Sequence, residues 1–407
     1  MRVAIINAVT VGSTGKIMFS IAERAREKNM EVRTISSSWA RTKDYCFHSY
    51  IGFDSVRKLN QLYGAVFGKH EELLPLNTHK IITHLKRFSP DIIHLHNLHG
   101  CYLNHKLLFN YLKTCGAKII WTLHDCWPFT GRCAHFTMIG CEKWKTGCHH
   151  CKLEKGIYPA SMIDTSKSTW KRKKEMFTGV PDMTIVTPSE WLAGLVKQSF
   201  LKDYPVKVIN NGIDLSVFKP TESSWREEMG LTGKKVVLGV AFGWGRRKGL
   251  DVFIELARRL DDSYRIVLVG TNENVDRELP DNIISIHRTH DQAELARIYS
   301  AADVFANPTR EENYPTVNME ALACGTPVIT FRTGGSPEII DDTCGMTVDC
   351  DDVDALLAGI KKICEEHNYT REACLAKAES FDMNKRFNDY IELYETAKND
   401  QHNCTGL

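Results

Sequence analysis

The sequence predicts an α/β protein with two doubly wound domains, each built around a mainly parallel sheet. Short apolar runs alternate with longer helical patterns along the whole chain, which is typical of βαβ units. Most of these runs are apolar throughout, as expected for strands that are covered on both faces. A chain of 407 residues is also too long for one ordinary core. We expect the two domains to face a cleft at the carboxyl ends of their strands, where such sheets bind ligands.

The candidate strands form two series, with a boundary in the region 188–215. The first half contributes Val3–Ile6, Val32–Ile35, Ile92–Leu95, Ile119–Leu123 and Thr184–Thr187. The second half contributes Val206–Ile209, Val236–Val240, Arg265–Val269, Ile283–Ile286, Val304–Ala306 and Val328–Thr330. Helical patterns such as "GLDVFIELARRL" lie between strands of the second series. The same βαβ organisation is therefore predicted twice.

The domain boundaries follow from these two series. We predict a first domain over residues 1–200, with a cysteine-rich insertion at 126–152, and a second domain over 201–384. The stretch "TPSEWLAGLVKQS" predicts a helix entered through Thr187 or Ser189, and "NNGIDLSVFKP" then predicts a turn and linker. Residues 385–407 carry a helical pattern over Lys385–Lys398, and we expect this last helix to pack back on the first domain.

Composition excludes several classes of protein. Charged residues are 25% and hydrophobic residues 43%, as in soluble globular proteins, and a net charge of +2 gives no general attraction to nucleic acid. No apolar run approaches the roughly 18 residues of a membrane-spanning helix. The start "MRVAIINAV" lacks the features of a signal peptide. We expect a cytoplasmic protein, whose 14 cysteines are free thiols or metal ligands.

A glycine-rich turn follows the first strand. In "VTVGSTGKIMFSIAERA", Gly12 and Gly15 stand where a helix opens. A Walker A phosphate loop is excluded, because Ile17 stands where that motif needs Ser or Thr and Thr10 where it needs glycine. The free N–H groups of this helix start suit an anion or sugar hydroxyls, and a plain tight turn is the alternative.

Histidines follow two strands of the first domain. "DIIHLHNLHG" carries His94, His96 and His99, and "WTLHDCWPFTG" carries His124 next to Asp125. Side chains at the carboxyl ends of parallel strands reach the ligand-binding edge of the sheet, which favours a functional role for His124 and Asp125. A lone histidine more often has a structural role, and the spacing of these histidines does not match a metal-binding motif.

A cysteine cluster lies in "GRCAHFTMIGCEKWKTGCHHC". Cys133, Cys141, Cys148 and Cys151 fall within 19 residues, and the last two form C-x-x-C. Four converging thiolates would hold a structural zinc ion, while four buried thiols are the alternative.

Two further stretches predict an anion-binding region in the second domain. Arg246, Arg247 and Lys248 stand at the end of a strand and the entrance of a helix, where cations oppose the helix dipole unless an anion lies among them. A solvated basic turn is the alternative. In "ADVFANPTREENYPTVNMEALACG", we predict a strand, a loop and a helix capped by Thr316 and ended by Gly325.

The loop and helix of that second stretch carry two glutamates. Free N–H groups around Tyr314–Val317 suit phosphate or sugar oxygens, and the candidate binding residues of this segment are Asn313, Tyr314, Pro315 and Thr316. Glu320, one turn into the helix, can accept from a ribose diol, and Glu312, before the helix, from the hydroxyls of another ring. A nucleotide sugar contains a ribose, phosphates and a sugar ring in that order. The stretch "RTGGSPEII" follows the next strand and predicts a turn whose glycines allow close approach to the backbone.

These motifs together resemble the retaining, nucleotide-sugar-dependent glycosyltransferases of family four, which have the GT-B architecture of two Rossmann-like domains. The resemblance rests on the E-x7-E motif at Glu312 and Glu320, the tail "EALACGTPVI…GGSPE", the "NGID" segment and the His124-Asp125 loop. It covers nearly the whole chain. The stretch "HDCWPFTGRCAHF" looks more narrowly like bacterial enzymes that assemble colanic acid, capsule or O-antigen.

The resemblance implies roles for individual residues. Glu320 would hold the ribose, Glu312 would position the donor sugar, and His124 would contact that sugar. The loop of Gly12 and Gly15 would approach the phosphate and the acceptor. Lys248 fits the lysine of the family's basic pair on the diphosphate, but Phe242-Gly243 occupies the place of its arginine, so that Arg246 or Arg247 would substitute.

The implied reaction is glycosyl transfer with retained anomeric configuration and no catalytic metal, from a UDP- or GDP-sugar to a lipid-linked oligosaccharide or polysaccharide. Two alternatives stay open: a phosphorylase or soluble-acceptor transferase of the same architecture, and a non-catalytic sugar-nucleotide sensor. A lipid-linked acceptor also suggests peripheral contact with the anionic inner leaflet. For that contact we predict the helix "SKSTWKRKKEMF", where Lys167, Lys171, Arg172, Lys173 and Lys174 accompany Trp170, Met176 and Phe177, against the alternative of a solvated face.

Overall fold

The computed structural model describes residues 1–37, 46–52, 54–68, 74–152 and 162–404, with residues 54, 56 and 398–404 described as backbone only. These residues divide into two compact units. The first is Met1–Ile209 together with Phe387–Leu407, and the second is Asn210–Arg386. Among the described residues, no helix is both long and apolar enough to cross a lipid bilayer.

The first unit contains a parallel sheet of seven strands in the order β3-β2-β1-β4-β5-β6-β7. The strands are β1 Arg2–Asn7, β2 Glu31–Ser37, β3 His48–Ile51, β4 Ile92–Leu95, β5 Lys118–Thr122, β6 Met183–Thr187 and β7 Val206–Val208. Strand β1 lies between β2 and β4, and Val3 pairs with both Val32 and Ile92. The strand order reverses at this point, which is where doubly wound sheets bind ligands.

In the described part of the first unit, helices and short 3-10 turns accompany this sheet. The helices are α1 Gly12–Glu27, α2 Asp54–Phe67, α3 Pro75–Phe88, α4 His105–Leu112, α5 Ser166–Phe177 and α6 Glu190–Val196. The 3-10 turns are Trp127–Phe129, Thr137–Ile139 and Lys143–Lys145. Helix α6 begins after Ser189, whose side chain accepts from the Leu192 N–H, so the second of the two predicted entry residues is the cap.

The second unit repeats the pattern with six parallel strands in the order β10-β9-β8-β11-β12-β13. The strands are β8 Lys235–Val240, β9 Tyr264–Val269, β10 Ile283–Ile286, β11 Val304–Asn307, β12 Val328–Phe331 and β13 Gly345–Val348. The helices are α7 Trp225–Glu228, α8 Leu250–Arg259, α9 Glu273–Asp276, α10 Gln292–Ser300, α11 Thr316–Ala323, α12 Val353–Glu366, α13 Arg371–Ala378 and α14 Met383–Cys404. Further 3-10 turns are Arg246–Lys248, Ser336–Ile339 and Glu379–Phe381.

Helix α8 shows why these segments fold as they do. Its apolar residues Leu250, Phe253, Leu256 and Ala257 recur at helical spacing and are all buried. On the neighbouring strand, Gly239 has no room for a side chain, because an added Cβ would lie 2.5 Å from the Phe253 ring. The helix therefore packs directly on the backbone of β8, which brings the turn that joins them to the edge of the sheet.

One strand lies in a different sheet from the one expected. Val206–Ile209 was predicted to open the second domain, but Val206–Val208 pairs with β6 as the last strand of the first sheet. The segment is only three residues long and is half exposed, so its composition does not reveal which sheet it joins.

The last helix, α14, begins in the second unit and continues in the first. Within the first unit, Tyr394 and Tyr390 are buried against β4 and β5, and the Tyr394 hydroxyl lies 2.6 Å from His94 Nδ1. Arg24 of α1 donates to the side chain of Asn388 at 2.7 Å. The carboxyl-terminal helix thus completes the core of the unit that contains the amino terminus.

Candidate functional site

A pair of opposite charges lies at the centre of the predicted donor site in the second unit. Lys248 Nζ is 2.6 Å from Glu312 Oε2, and the two side chains are only 18% and 19% exposed. Lys248 belongs to the 3-10 turn between β8 and α8, while Glu312 lies in the loop between β11 and α11. Gly249 allows this approach, because its φ is +77° and an added Cβ would lie 2.4 Å from the Pro308 carbonyl oxygen.

Arg310 locks the basic turn to the acidic loop, a role that the sequence did not reveal. Its two terminal nitrogens donate to the two carboxylate oxygens of Asp251 at 2.8 Å each, and its Nε donates to Asp351 at 2.6 Å. It also donates to the backbone oxygen of Arg246, and its own N–H donates to that of Arg247 at 2.9 Å. Partial burial opposes ionisation of Asp251, but the Arg310 hydrogen bonds outweigh it and lower the pKa of that carboxyl.

Arg246 and Arg247 are therefore held through their backbone rather than through their side chains. Arg246 is exposed and Arg247 is half-buried. Within the described part of the chain, neither guanidinium has a carboxylate partner. Both side chains are available to an anion beside the Lys248–Glu312 pair.

Helix α11 presents an uncapped amino end beside this pair. The prediction that Thr316 caps the helix is wrong: Pro315 is the N-cap residue, Thr316 is the first helical residue, and no side chain caps the helix. The reason is that proline at the cap favours extended backbone and has no side-chain oxygen to offer. The end of the helix is as predicted, since Gly325 follows the C-cap with φ +81°.

The acids and amides around α11 are arranged by a small set of hydrogen bonds. Glu312 Oε1 accepts from the Asn313 N–H at 3.1 Å, and the Gly335 N–H donates to the Asn313 oxygen at 2.7 Å. Gly334 lies against the Glu312 backbone, where a Cβ would come within 1.9 Å. Tyr314 is buried, and burial raises the pKa of its hydroxyl, so it stays neutral.

Glu320 projects from the second turn of α11. Its Oε2 accepts from the Tyr299 hydroxyl at 3.2 Å. Tyr299 is fully buried, and burial together with the Glu320 charge raises the pKa of its hydroxyl. Tyr299 thus remains a proton donor to Glu320, and this hydrogen bond orients the carboxylate.

The first unit places Gly12 and Gly15 at the start of α1. Gly12 has φ +71° and opens the helix, which no side chain caps. Gly15 lies inside the first turn rather than in the loop, and an added Cβ would lie 2.3 Å from the Thr10 carbonyl carbon. The two interpretations of this segment, an anion-binding helix start and a plain tight turn, are compatible with each other, because the tight turn leaves the amino end of α1 without a side-chain cap. Asn7, which sequence reasoning did not single out, fixes the turn by accepting from the Ala8 and Asn97 N–H groups.

The histidines form a buried hydrogen-bonded cluster in the first unit. His94 bridges Tyr394 at 2.6 Å and Thr122 at 2.8 Å, so it is structural. His96 Nδ1 is 2.9 Å from His124 Nε2, and the two rings stack. Burial lowers the pKa of His94 to about 3 and of His124 to about 4, and it lowers the pKa of His96 well below the ordinary value. The rings are therefore neutral at pH 7, and in the His96–His124 bond one nitrogen donates while the other accepts.

Asp125 anchors the loop that carries His124. One carboxylate oxygen accepts from the Trp127 N–H at 2.8 Å, and the other lies 3.0 Å from His99 Nε2. Burial raises the pKa of Asp125, but the hydrogen bonds and charge of His99 outweigh this and bring it down to about 2. Asp125 is ionised at pH 7 and acts by positioning the loop.

The predicted zinc site at Cys133, Cys141, Cys148 and Cys151 is not assembled in this structure. All four residues line one cavity of about 140 Å³, but the described chain contains no group of three or more His, Cys, Asp or Glu side chains arranged to hold a metal. Burial raises the pKa of Cys133 to about 12 and of Cys148 to about 11, which favours neutral thiols. Cys148 Sγ accepts from the Gly131 N–H at 3.1 Å. Cys133 and Cys148 are buried, whereas Cys141 and Cys151 are only half-buried, so the alternative of four buried thiols is met by two of them.

The predicted membrane helix α5 also needs correction. Met176 and Phe177 are buried in the core, and Lys173 is fully buried. Lys173 Nζ donates to the Trp127 oxygen at 2.8 Å and lies 3.5 Å from the centre of the Trp127 ring. Met176 and Phe177 thus face inward and Trp170 is half-buried, while the exposed residues of α5 are Lys167, Ser168, Lys171, Lys174 and Glu175.

Two family models match the chain. The model described as glycosyltransferase family 4 matches residues 14–217, and the model described as glycosyl transferases group 1 matches residues 234–366. Among curated proteins, a putative colanic acid biosynthesis glycosyl transferase, WcaC of Escherichia coli K12, is 28% identical over 301 residues, which are 71% of this chain and 69% of that protein.

Solved structures share the fold. A sucrose-phosphate synthase from Thermosynechococcus elongatus superposes with a TM-score of 0.72 at 17% identity, covering 97% of this chain and 98% of that one. Anabaena HepE in complex with UDP gives a TM-score of 0.68 at 15% identity, covering 97% and 100%. The predicted GT-B class, with two Rossmann-like parallel-sheet domains, is confirmed.

Proposed function

The chain belongs to glycosyltransferase family 4, and from this premise we propose that it transfers a sugar from a UDP- or GDP-sugar to a growing, lipid-linked cell-surface polysaccharide, with retention of the anomeric configuration. The observation that carries the proposal is the Lys248–Glu312 pair, 2.6 Å apart beside the uncapped start of α11, with Glu320 one turn further along that helix. We expect the reaction at the cytoplasmic face of the membrane that holds the acceptor.

The donor fits these groups in sequence. Glu320 accepts from the two ribose hydroxyls, since its carboxylate is already oriented by Tyr299. The diphosphate binds at the amino end of α11 and at Lys248, with Arg246 or Arg247 as the second cation. Glu312 accepts from hydroxyls of the transferred sugar, and these hydrogen bonds replace its contact with Lys248. HepE, a structural neighbour solved with UDP, supports a nucleotide diphosphate as the ligand of this fold.

The chemistry proposed for the site is stabilisation of the leaving group. As the bond from the anomeric carbon to the diphosphate oxygen lengthens, negative charge grows on the diphosphate, and the sugar becomes oxocarbenium-like. Fixed cations and helix-start amides stabilise that charge with little reorganisation. In this scheme no carboxylate forms a covalent intermediate and no metal ion is required, because Lys248 and the arginines supply the positive charge.

The acceptor is inferred from a curated relative of the chain rather than from the geometry of the candidate site. The curated relative is named for colanic acid biosynthesis, and this chain aligns with 69% of it. A polysaccharide of that kind is assembled in steps, so the acceptor is a saccharide that another enzyme has begun. His124, kept neutral by burial and held by His96, is assigned to a hydroxyl of the donor sugar.

The experiment is an incorporation assay with the full chain, radiolabelled UDP- and GDP-sugars and a bacterial lipid extract. We expect label to enter an organic-extractable product, and NMR of that product to show the anomeric configuration of the donor. Label that enters only soluble sugars or sugar phosphates would favour the soluble-acceptor alternative. Release of sugar 1-phosphate from a saccharide by inorganic phosphate, with no nucleotide sugar present, would favour a phosphorylase. Donor binding without turnover in every arm would favour a sensor.

A further inference from the structure

The two buried histidines at the end of β4 differ in how their ring nitrogens are used. In His94, Nδ1 lies 2.6 Å from the Tyr394 hydroxyl and Nε2 lies 2.8 Å from the Thr122 hydroxyl. Thr122 Oγ1 donates its own proton to the Tyr390 hydroxyl at 3.3 Å, so it accepts from His94 Nε2–H. His94 Nδ1 then accepts from Tyr394. Both ring nitrogens have a partner, as expected of a structural histidine.

His96 has a hydrogen-bond partner at one ring nitrogen only. The residue is 1% exposed, and its Nδ1 lies 2.9 Å from His124 Nε2. Its other nitrogen, Nε2, is buried and has no hydrogen-bond partner among the described residues. The His96 ring also stacks on its neighbours, with its centre 4.2 Å from that of His94 and 5.2 Å from that of His124. The ring is therefore held firmly, and its single polar contact is directed at His124.

The nitrogen without a partner indicates where the protons of this pair lie. Burial lowers the pKa of His96 well below the ordinary value and that of His124 to about 4, so each ring is neutral at pH 7 and has one N–H and one bare nitrogen. A proton on His96 Nε2 would be a buried N–H without an acceptor, which is rarer in folded proteins than an acceptor without a donor. The proton of His96 is thus on Nδ1 and is donated to His124 Nε2. His124 must then carry its own proton on Nδ1.

We propose that His96 is a positioning residue for His124 and holds that ring in one orientation with its proton on Nδ1. The inference rests on the proposed function, in which His124 contacts a hydroxyl of the donor sugar. His124 then acts as the hydrogen-bond donor at Nδ1, and the hydroxyl oxygen accepts. The assignment uses the contacts of His96 alone, so it holds for any partner that His124 Nδ1 has before a ligand binds. It excludes Nδ1 of His124 as a base for the acceptor hydroxyl.

A merely structural role for the His96–His124 bond has different consequences. Asp125 already fixes the loop, through the Trp127 N–H and His99, whereas His96 contacts the ring of His124 itself. If the bond only filled the core, its loss would lower stability and leave the proton of His124 where it was. If His96 positions His124, its loss changes the proton location and the part of the affinity that depends on the sugar.

The proton location can be measured in the full chain without any substrate. Histidine labelled with nitrogen-15 is incorporated, and long-range nitrogen–proton correlation spectra at pH 7 distinguish protonated from bare ring nitrogens. The signals that disappear in His124→Gln and in His96→Leu identify the two rings. We expect a single tautomer of the wild type, with Nδ1 protonated in both rings. A proton on Nε2 of His124, or a mixture of its two tautomers, would overturn the proposal.

Two substitutions of His96 separate positioning from packing. His96→Leu fills the space without a donor, and His124 should then populate both tautomers. His96→Asn can place its side-chain N–H close to the position of Nδ1 and should restore the single tautomer. The matched control is His94→Gln, because His94 contacts Tyr394 and Thr122 rather than His124. If His96→Leu does not fold, the spectra of the wild type and of His96→Asn still test the assignment.

Calorimetry with UDP, GDP and their sugars adds the functional readout. We expect His96→Leu to weaken binding of the nucleotide sugar about three- to tenfold, as for one lost hydrogen bond, and to leave binding of the bare nucleotide unchanged. His96→Asn and His94→Gln should keep the wild-type ratio of the two affinities. An unchanged tautomer of His124 in His96→Leu, or equal losses in His96→Leu and His94→Gln, would overturn the proposal. If no nucleotide sugar binds the wild type, the proposed function fails, while the spectra of His124 still decide whether His96 positions it.

Discussion

Lys248 and Glu312 lie 64 positions apart in the sequence, yet Lys248 Nζ is 2.6 Å from Glu312 Oε2. Each residue lies in a connection that leaves the carboxyl edge of the second sheet, and Arg310 forms hydrogen bonds that join the two connections. The pair keeps a cation and a carboxylate in place before any ligand arrives. Such preorganisation is what a site needs if it is to stabilise charge on a leaving group.

Loss of the Lys248 charge should slow transfer. We expect Lys248→Met to lower kcat by about 100-fold or more, which is the usual effect of removing one donor from a developing negative charge. Glu312→Gln should also lower kcat while leaving the affinity for the bare nucleotide diphosphate nearly unchanged. Steady-state kinetics and calorimetry measure both effects. Lys235→Met is the matched control, because Lys235 forms a more exposed pair with Glu365 in the same unit. Equal kinetic losses in the control would mean that the effect is one of stability.

Substitution of Arg310 should disturb the site without touching a ligand. Arg310→Lys cannot reproduce the two-pronged contact with Asp251 together with the bond to Asp351. The basic turn should then shift, and we expect kcat to fall about tenfold, since small misplacement of a charged group is costly. Arg332→Lys is the control, because Arg332 is exposed and pairs with the exposed Asp349 on the surface. Unchanged kcat in Arg310→Lys would show that the turn holds its position without this guanidinium.

The buried histidines predict a loss of stability in mild acid. The folded chain holds the pKa of His94 at about 3 and of His124 at about 4, against an ordinary value of 6.5, so the unfolded chain binds more protons below pH 6.5. Stability is therefore complete above pH 6.5 and falls as the pH drops towards 4, by up to about 1.4 kcal/mol per pH unit for each histidine. His94→Gln should make this slope shallower in urea unfolding. Exposed His149→Gln should not, and an identical slope in all three proteins would contradict the account.

The buried cation of α5 should matter for stability alone. Lys173→Met removes the charged donor from the Trp127 and Thr130 carbonyl oxygens, which should cost about 1.5–3 kcal/mol in urea unfolding. Lys174→Met, at an exposed neighbouring position, should cost little. Comparable losses in the two variants would show that the buried contacts contribute nothing. The affinity of Lys173→Met for nucleotide diphosphates should equal that of the wild type.

Most of the fold could be predicted because its strands are short, apolar and separated by amphipathic helices. Two strands were missed, and both lie at sheet edges: β3, His48–Ile51, and β13, Gly345–Val348. Edge strands are only half covered, and their mixed composition lacks the uniform apolar signal of central strands. The third edge segment, β7, was recognised as a strand but expected in the other domain, because pairing partners are not encoded in a local pattern.

The site was predicted only in part, again because a local pattern does not show which distant residues contact one another. The glutamates of α11 and its loop carry a spacing that a ribose and a sugar can use, and that spacing is local. Arg310 escaped notice because its partners, Asp251 and Asp351, are 59 and 41 positions away. The α5 helix was expected to bind membrane from its composition and from the lipid-linked acceptor that the family resemblance implies. Helical periodicity identifies an apolar side but not whether that side faces the core, as Met176 and Phe177 of α5 do.

The most direct test of the account is calorimetric titration of UDP and GDP into the wild-type chain, Glu320→Ala and Glu312→Gln. Glu320 is expected to hold the ribose of the nucleotide, and a hydrogen bond to a charged group contributes about 1.5–3 kcal/mol. The account predicts that one nucleotide binds the wild type, that Glu320→Ala weakens this binding roughly 10- to 150-fold, and that Glu312→Gln changes it by less than about threefold. If neither nucleotide binds the wild type, or if Glu312→Gln rather than Glu320→Ala abolishes binding, the assignment of the donor site is wrong.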